Sequence, residues 1–161
     1  VNKHFLNVVI VAAALFLVTA CNFSTANLSS LKTSTDKEGT KETTSFKAGD
    51  TIYANAVVSN AMDKNTVKYA LIAVESKTTK TGEVMQGTEV TIDMPGSGTA
   101  NLTLPVPASF SGGKFNLVAD LINEKGEKKD SKSVMITIAP GTTSSTDDRS
   151  VTDDKETDQD K

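Results

Sequence analysis

Few residues in this chain are equipped for covalent or acid–base chemistry. Among 161 residues there is one Cys, Cys21, one His, His4, and no Trp. A single Cys excludes an intrachain disulfide and any metal site built from several thiolates. A Ser-His-Asp or Cys-His arrangement needs a His that folds beside its nucleophile, and His4 stands in an apolar N-terminal run. Composition leaves a Ser-Lys dyad or a pair of carboxylates. Asp120 is the acid set most firmly inside an alternating segment, opposite Phe115, Leu117 and Leu121. It is expected to face solvent and pair with Lys132 across a hairpin. Asp147-Asp148 and Asp153-Asp154 form a crude repeat near the C-terminus. Calcium wants oxygens fixed by a tight turn, usually around Gly, and no Gly follows Gly141. No metal, cofactor or catalytic residue is therefore expected.

Cys21 has a different context. Lys3 precedes an apolar stretch from Phe5 to Val18, broken by Asn7, and the sequence then reads Leu17-Val18-Thr19-Ala20-Cys21. The stretch is too short for a comfortable membrane span and right for the apolar region of a secretory leader. Its end resembles the lipobox of bacterial lipoprotein precursors, with an apolar residue three before the Cys (Val18) and a small one directly before it (Ala20). The resemblance covers the leader only. It implies cleavage between Ala20 and Cys21 and attachment of diacylglycerol to the Cys21 sulfur, usually joined by a palmitate-type chain. The domain would then be a lipid-anchored envelope protein. Asn22 after the Cys, where Asp commonly signals inner-membrane retention, leans toward the outer membrane in a Gram-negative cell. Cleavage would remove His4, and acylation would consume the only thiol.

The rest of the chain must supply a scaffold. Residues 22–45 are rich in Ser, Thr, Asn and Lys and read as a flexible tether, with a candidate edge strand over 26–33. Such a tether would span roughly 25–30 Å. Residues 46–140 repeat a period of two. Ile52, Ala54, Ala56 and Val58 share one face, as do Val67, Tyr69, Leu71 and Ala73. Segments 83–94 (with Gly87 as a bulge or break), 99–104, 114–123 and 132–139 follow, separated by Pro95-Gly96-Ser97-Gly98, Gly112-Gly113 and Asn123-Glu124-Lys125-Gly126. Strands with one apolar face must bury it against a second sheet.

The expected fold is all-β: a six- to seven-stranded antiparallel sandwich over 46–140, flanked by a disordered tether and tail. Phe46-x-x-Gly49-Asp50-x-Ile52 and Gly113-Lys114-Phe115-x-Leu117 are similar to segments of immunoglobulin-like and fibronectin type III-like modules of bacterial surface proteins. Phe115 stands near where such folds often carry a Tyr. Residues 141–161 hold seven acidic and three basic residues with almost nothing apolar, a composition that cannot offset its ordering entropy.

The formal charge of −3 and the lack of aromatics among Lys125, Lys128, Lys129 and Lys132 argue against nucleic acid as a partner. Phe110, in a Pro- and Gly-flanked loop, is the candidate exposed anchor of a binding loop, against the favoured reading that it caps one end of the sandwich, because small domains need their few aromatics inside. The function expected is a non-catalytic binding or structural module of the envelope. It would be held to the membrane through acylated Cys21 and would face an envelope protein or an extracellular ligand. The alternatives are an accessory subunit of a secretion, adhesin or surface-layer assembly that pairs through an edge strand, and, more remotely, a hydrolase using Ser-Lys or paired acids.

Overall fold

The computed structural model describes residues 25–141. Cys21, Ala20, Asn22, His4 and the acidic pairs after Gly141 lie outside them. The described residues form eight strands and no helix: β1 (Asn27–Ser34), β2 (Ser45–Lys47), β3 (Thr51–Ser59), β4 (Asn65–Ser76), β5 (Val90–Met94), β6 (Gly98–Pro105), β7 (Gly113–Asn123) and β8 (Lys128–Ala139). They make an immunoglobulin-like sandwich, with a three-stranded sheet in the order β1-β3-β6 and a five-stranded sheet in the order β2-β8-β7-β4-β5. Among the described strands every pairing is antiparallel except β2 with β8, which is parallel.

The alternation read in the sequence is the alternation of burial. Along β3, Ile52, Ala54, Ala56 and Val58 are inside. Along β4 they are Val67, Tyr69, Leu71 and Ala73, and along β7 Phe115, Leu117, Ala119 and Leu121. Sizes interleave so that the two inner faces mesh. Tyr69 is the register partner of Ala119 within its own sheet. Its ring crosses the core to Ala56 and Ala100 on the facing sheet. There its hydroxyl accepts a bond from the Ala56 amide at 3.1 Å and donates one to the Ala100 carbonyl at 2.8 Å. Ala56 and Ala100 are register partners of β3 and β6, so one phenol ties three strands of two sheets. Burial pushes its pKa up from 10.0 to about 12, against the lowering pull of the Ala56 amide.

Two boundaries differ from the sequence reading. The segment read as tether, with a candidate edge strand over 26–33, contains all of β1, paired with β3 from Asn27↔Ser59 to Ser34↔Tyr53, and Ser45, the first residue of β2. The register slips between Leu28 and Ser30, so the two apolar residues of β1, Leu28 and Leu31, stand three apart and the period of two is lost. The second difference lies in 83–94, where Gly87 (φ 79°) is a break. Val90–Met94 is the strand. Ahead of it Glu83–Met85 runs beside β4, with Ala73 donating to the Glu83 carbonyl and Met85 to the Leu71 carbonyl. Buried Thr88 holds the break shut, accepting from the Leu71 amide and donating to the Met85 carbonyl.

Candidate functional site

Strand directions sort the loops into two ends. At one end lie the start of β1, the β3–β4 loop (60–64), the β5–β6 turn (95–97) and the β7–β8 turn (124–127). These loops surround two adjoining open clefts of about 420 and 400 Å³, the first lined by Lys64, Asn65, Thr66, Asp93, Pro95 and Glu124 and the second including Thr25, Ala26, Met62 and Lys125.

Each loop is fixed by hydrogen bonds. Asn60 turns the chain out of β3 with a φ of 58°, a left-handed conformation that Asn tolerates. Ala61 is then pinned across to the β5–β6 turn, its amide donating to Ser97 Oγ at 3.0 Å and its carbonyl accepting from that hydroxyl at 3.3 Å. Asn65, nearly buried at the foot of the loop, donates its side-chain amide to the Asp63 carbonyl at 2.8 Å. Between these pins Met62 projects, 87% exposed.

The β7–β8 turn is organised by Asn123. Its Oδ1 accepts from the amides of Lys125 and Glu127 at 3.0 and 2.9 Å, and its Nδ2 donates to Glu127 Oε2 at 2.9 Å. Gly126 supplies a φ of 79°. The Asn123 amide, then the Lys129 ammonium, hold the Glu127 carboxyl below its usual range. Asp130 reaches from β8 to accept the Leu28 amide at 2.8 Å, joining the entering chain to this end. The result is a rigid, polar-rimmed platform with one apolar tip.

The sequence candidates fall elsewhere or in other roles. Asp120 is on the outer face, but its partners are Ser131 Oγ at 2.6 Å and Lys128 Nζ at 3.4 Å rather than Lys132. The register of β7 and β8 sets Ser131 opposite Asp120 and Lys132 opposite Ala119. Of the two readings of Phe110, the cap fits its placement and the exposed anchor does not. Phe110 is partly buried against the core, its ring 5.7 Å from that of Phe115, at the end opposite the clefts. Of the lysines, Lys129 pairs with Glu127, and Lys125 lines the second cleft. Among the described residues no group of three or more His, Cys, Asp or Glu is arranged to hold a metal ion, and no helix is long and apolar enough to cross a membrane. Sequence reasoning missed Met62, Ser97 and Asp130. The one signal for Met62 was its place among turn formers, between Asn60 and Asn65.

No family model and no curated protein matches the chain. It is similar in structure to a Niemann-Pick type C2 protein from Japanese carpenter ant (15% identity, 73% of this chain and 96% of that one, TM-score 0.46). It is also similar to part of a family 76 glycoside hydrolase from a bovine Bacteroides thetaiotaomicron strain (15% identity, 70% of this chain and 20% of that one, TM-score 0.42). A third likeness is to CaCohA2 from Clostridium acetobutylicum (14% identity, 71% and 91%, TM-score 0.38).

Proposed function

We propose that this chain is a lipid-anchored, non-catalytic binding or structural module of the bacterial envelope. The observation that carries the reading is the leader, an apolar run closing on Val18-Thr19-Ala20-Cys21, followed a few residues later by the first strand of a sandwich. A sandwich with pinned end loops is a rigid scaffold for binding, and two or more acyl chains on Cys21 make attachment durable where one would not. Mass spectrometry of the N-terminal peptide from cells is the test. The expected product starts at Cys21 and carries diacylglycerol, and Cys21→Ala abolishes both cleavage and lipid. A processed, unacylated chain would remove the anchor from this reading.

A second reading, an accessory subunit that adds a strand to a partner, draws on β6. This eight-residue strand is the edge of the three-stranded sheet, and its sequence GTANLTLP carries no charge of the kind that usually blunts an open edge. Crosslinking from Asn101 in living cells to a single envelope protein would favour it.

A further inference from the structure

We propose that the loop end carrying Met62 rests on the bilayer that holds Cys21, with Met62 in the interfacial region and Lys64 and Lys125 at the headgroups. This rests on acylation of Cys21, the reading above.

Three observations lead there. The first is reach. Ala26 lines the cleft between the β3–β4 and β7–β8 loops, and β1 begins at Asn27 with its backbone tied to Asp130. Five Cα steps separate Cys21 from Ala26, a span of at most roughly 18 Å even fully extended. A tether of two dozen residues could hold a domain clear of the lipid, but five residues leave this end beside it.

The second is chemistry. Met62 is the most exposed large apolar side chain among the described residues, and it stands at the tip of a pinned loop at this end. Around it the cleft rim alternates Asp63, Lys64, Glu124 and Lys125, both signs together, which suits zwitterionic headgroups. An apolar tip inside a polar rim matches an interface whose apolar boundary lies ~5–10 Å below the headgroups.

The third is the exit of the chain. β8 ends at Ala139 on the opposite end, where the Gly141 amide donates to the Phe110 carbonyl. Eleven residues of β7 separate the two ends, about 35 Å at strand rise. The segment with seven acidic residues thus leaves from the far end, away from anionic lipid that would repel it.

The absence of Trp from the chain makes a clean test. Single-Trp variants M62W and S109W place the indole at exposed positions of the two ends, so neither disturbs the core. The full acylated chain is isolated from cells and reconstituted in phosphatidylethanolamine vesicles with minor phosphatidylglycerol, with or without brominated acyl chains. The expected result is blue-shifted emission quenched by bromolipid for M62W and neither change for S109W. With Met62 native, amide exchange at 61–64 and 124–126 slows in vesicles while exchange at 108–110 does not. An acylated, vesicle-bound protein in which the two indoles quench alike, or in which exchange at 61–64 is unchanged, overturns the proposal and leaves the anchor standing. A chain from cells with no acyl group on Cys21 overturns both.

Discussion

The two ends of the sandwich are closed by different means. Where β3 begins, backbone meets backbone. Gly112, at a φ of 78°, passes so close to β8 that a Cβ there would stand 2.7 Å from the Ile138 carbonyl oxygen and 2.9 Å from Pro140 Cδ. Phe110 lies over Phe115, and the turn before β3 is sewn to Val106 through Gly49 and Asp50. Where β3 ends, side chains do the work: Ser97 holds Ala61, Asn65 holds Asp63, Asn123 holds Glu127, and Asp130 holds Leu28. Gly126 there has open space around it. A backbone lock tolerates little change at the residues that make it, whereas a side-chain lock leaves the loops freer to vary.

A matched pair of glycine substitutions should break the comparison most sharply. Gly112→Ala must both strain its backbone and push two strand ends apart, costing about 2–4 kcal/mol. Gly126→Ala has nearly the same φ and no collision, so it carries only the left-handed penalty of about 1–2 kcal/mol. Urea midpoints measured side by side check this, and equal costs would mean that the two ends are not differently packed.

Tyr69→Phe tests the tie between the two sheets, midway between the ends. It leaves the Ala56 amide and the Ala100 carbonyl without the hydroxyl they share, at a cost of about 1–3 kcal/mol. The pH dependence gives an independent reading. The folded phenol titrates at about 12 against 10.0 for the free group, so the folded state keeps a proton that the unfolded state sheds. Stability is whole below pH 10 and falls as pH rises through 12, by about 2–3 kcal/mol in all. Wild type minus Tyr69→Phe should show this limb in alkaline unfolding curves, and parallel curves would deny it.

How far the sequence revealed each part follows from how locally each is encoded. The long strands announce themselves because Ile52 to Val58 and Phe115 to Leu121 alternate without interruption, and both faces of the core are made from them. β1 shows in the sequence only as a candidate edge strand, because a slip at Leu28 and Ser30 spoils its period and because Thr33 and Ser34, polar by type, are buried. Their hydroxyls are satisfied by the Thr43 and Asp36 carbonyls, which only the folded loop provides. Phe110 leaves two readings open for a related reason: Pro and Gly around an aromatic signal a loop, and the partner ring that makes it a cap, Phe115, arrives from another strand. Two side-chain pins of the cleft end are likewise non-local, Ser97 to Ala61 across 36 residues and Asp130 to Leu28 across 102.

Asn65 and Asn123 are local by contrast; the bonds of Asn123 stay within four residues, and Asn-x-x-Gly is readable as a turn. Asn123→Ala should cost about 1 kcal/mol and, more tellingly, should raise the Glu127 carboxyl toward its ordinary value, since the Asn123 amide is the largest influence lowering it. A side-chain carboxyl titration by NMR reads this directly. An unmoved midpoint would assign the lowering to Lys129 alone, and the cleft end would then be held by charge rather than by hydrogen bonds.

The smallest effect is the one that separates stability from function. Met62→Ala removes an apolar side chain that is 87% exposed and packs in no described part of the core, so its stability change should stay within about 0.5 kcal/mol. A large loss would show that Met62 folds back over Asn65 and helps to close the end, making the two ends alike in kind. A negligible loss leaves the exposed Met without a folding role. Soluble domains scatter single exposed hydrophobics at little cost, so exposure alone assigns nothing. Here the side chain is lifted between two hydrogen-bonded pins, Ala61 to Ser97 and Asn65 to Asp63, at the end where the chain arrives from Cys21. Rigid presentation of an apolar tip reduces the ordering cost of burying it elsewhere, which is the property a contact surface needs and a solvent-exposed loop does not.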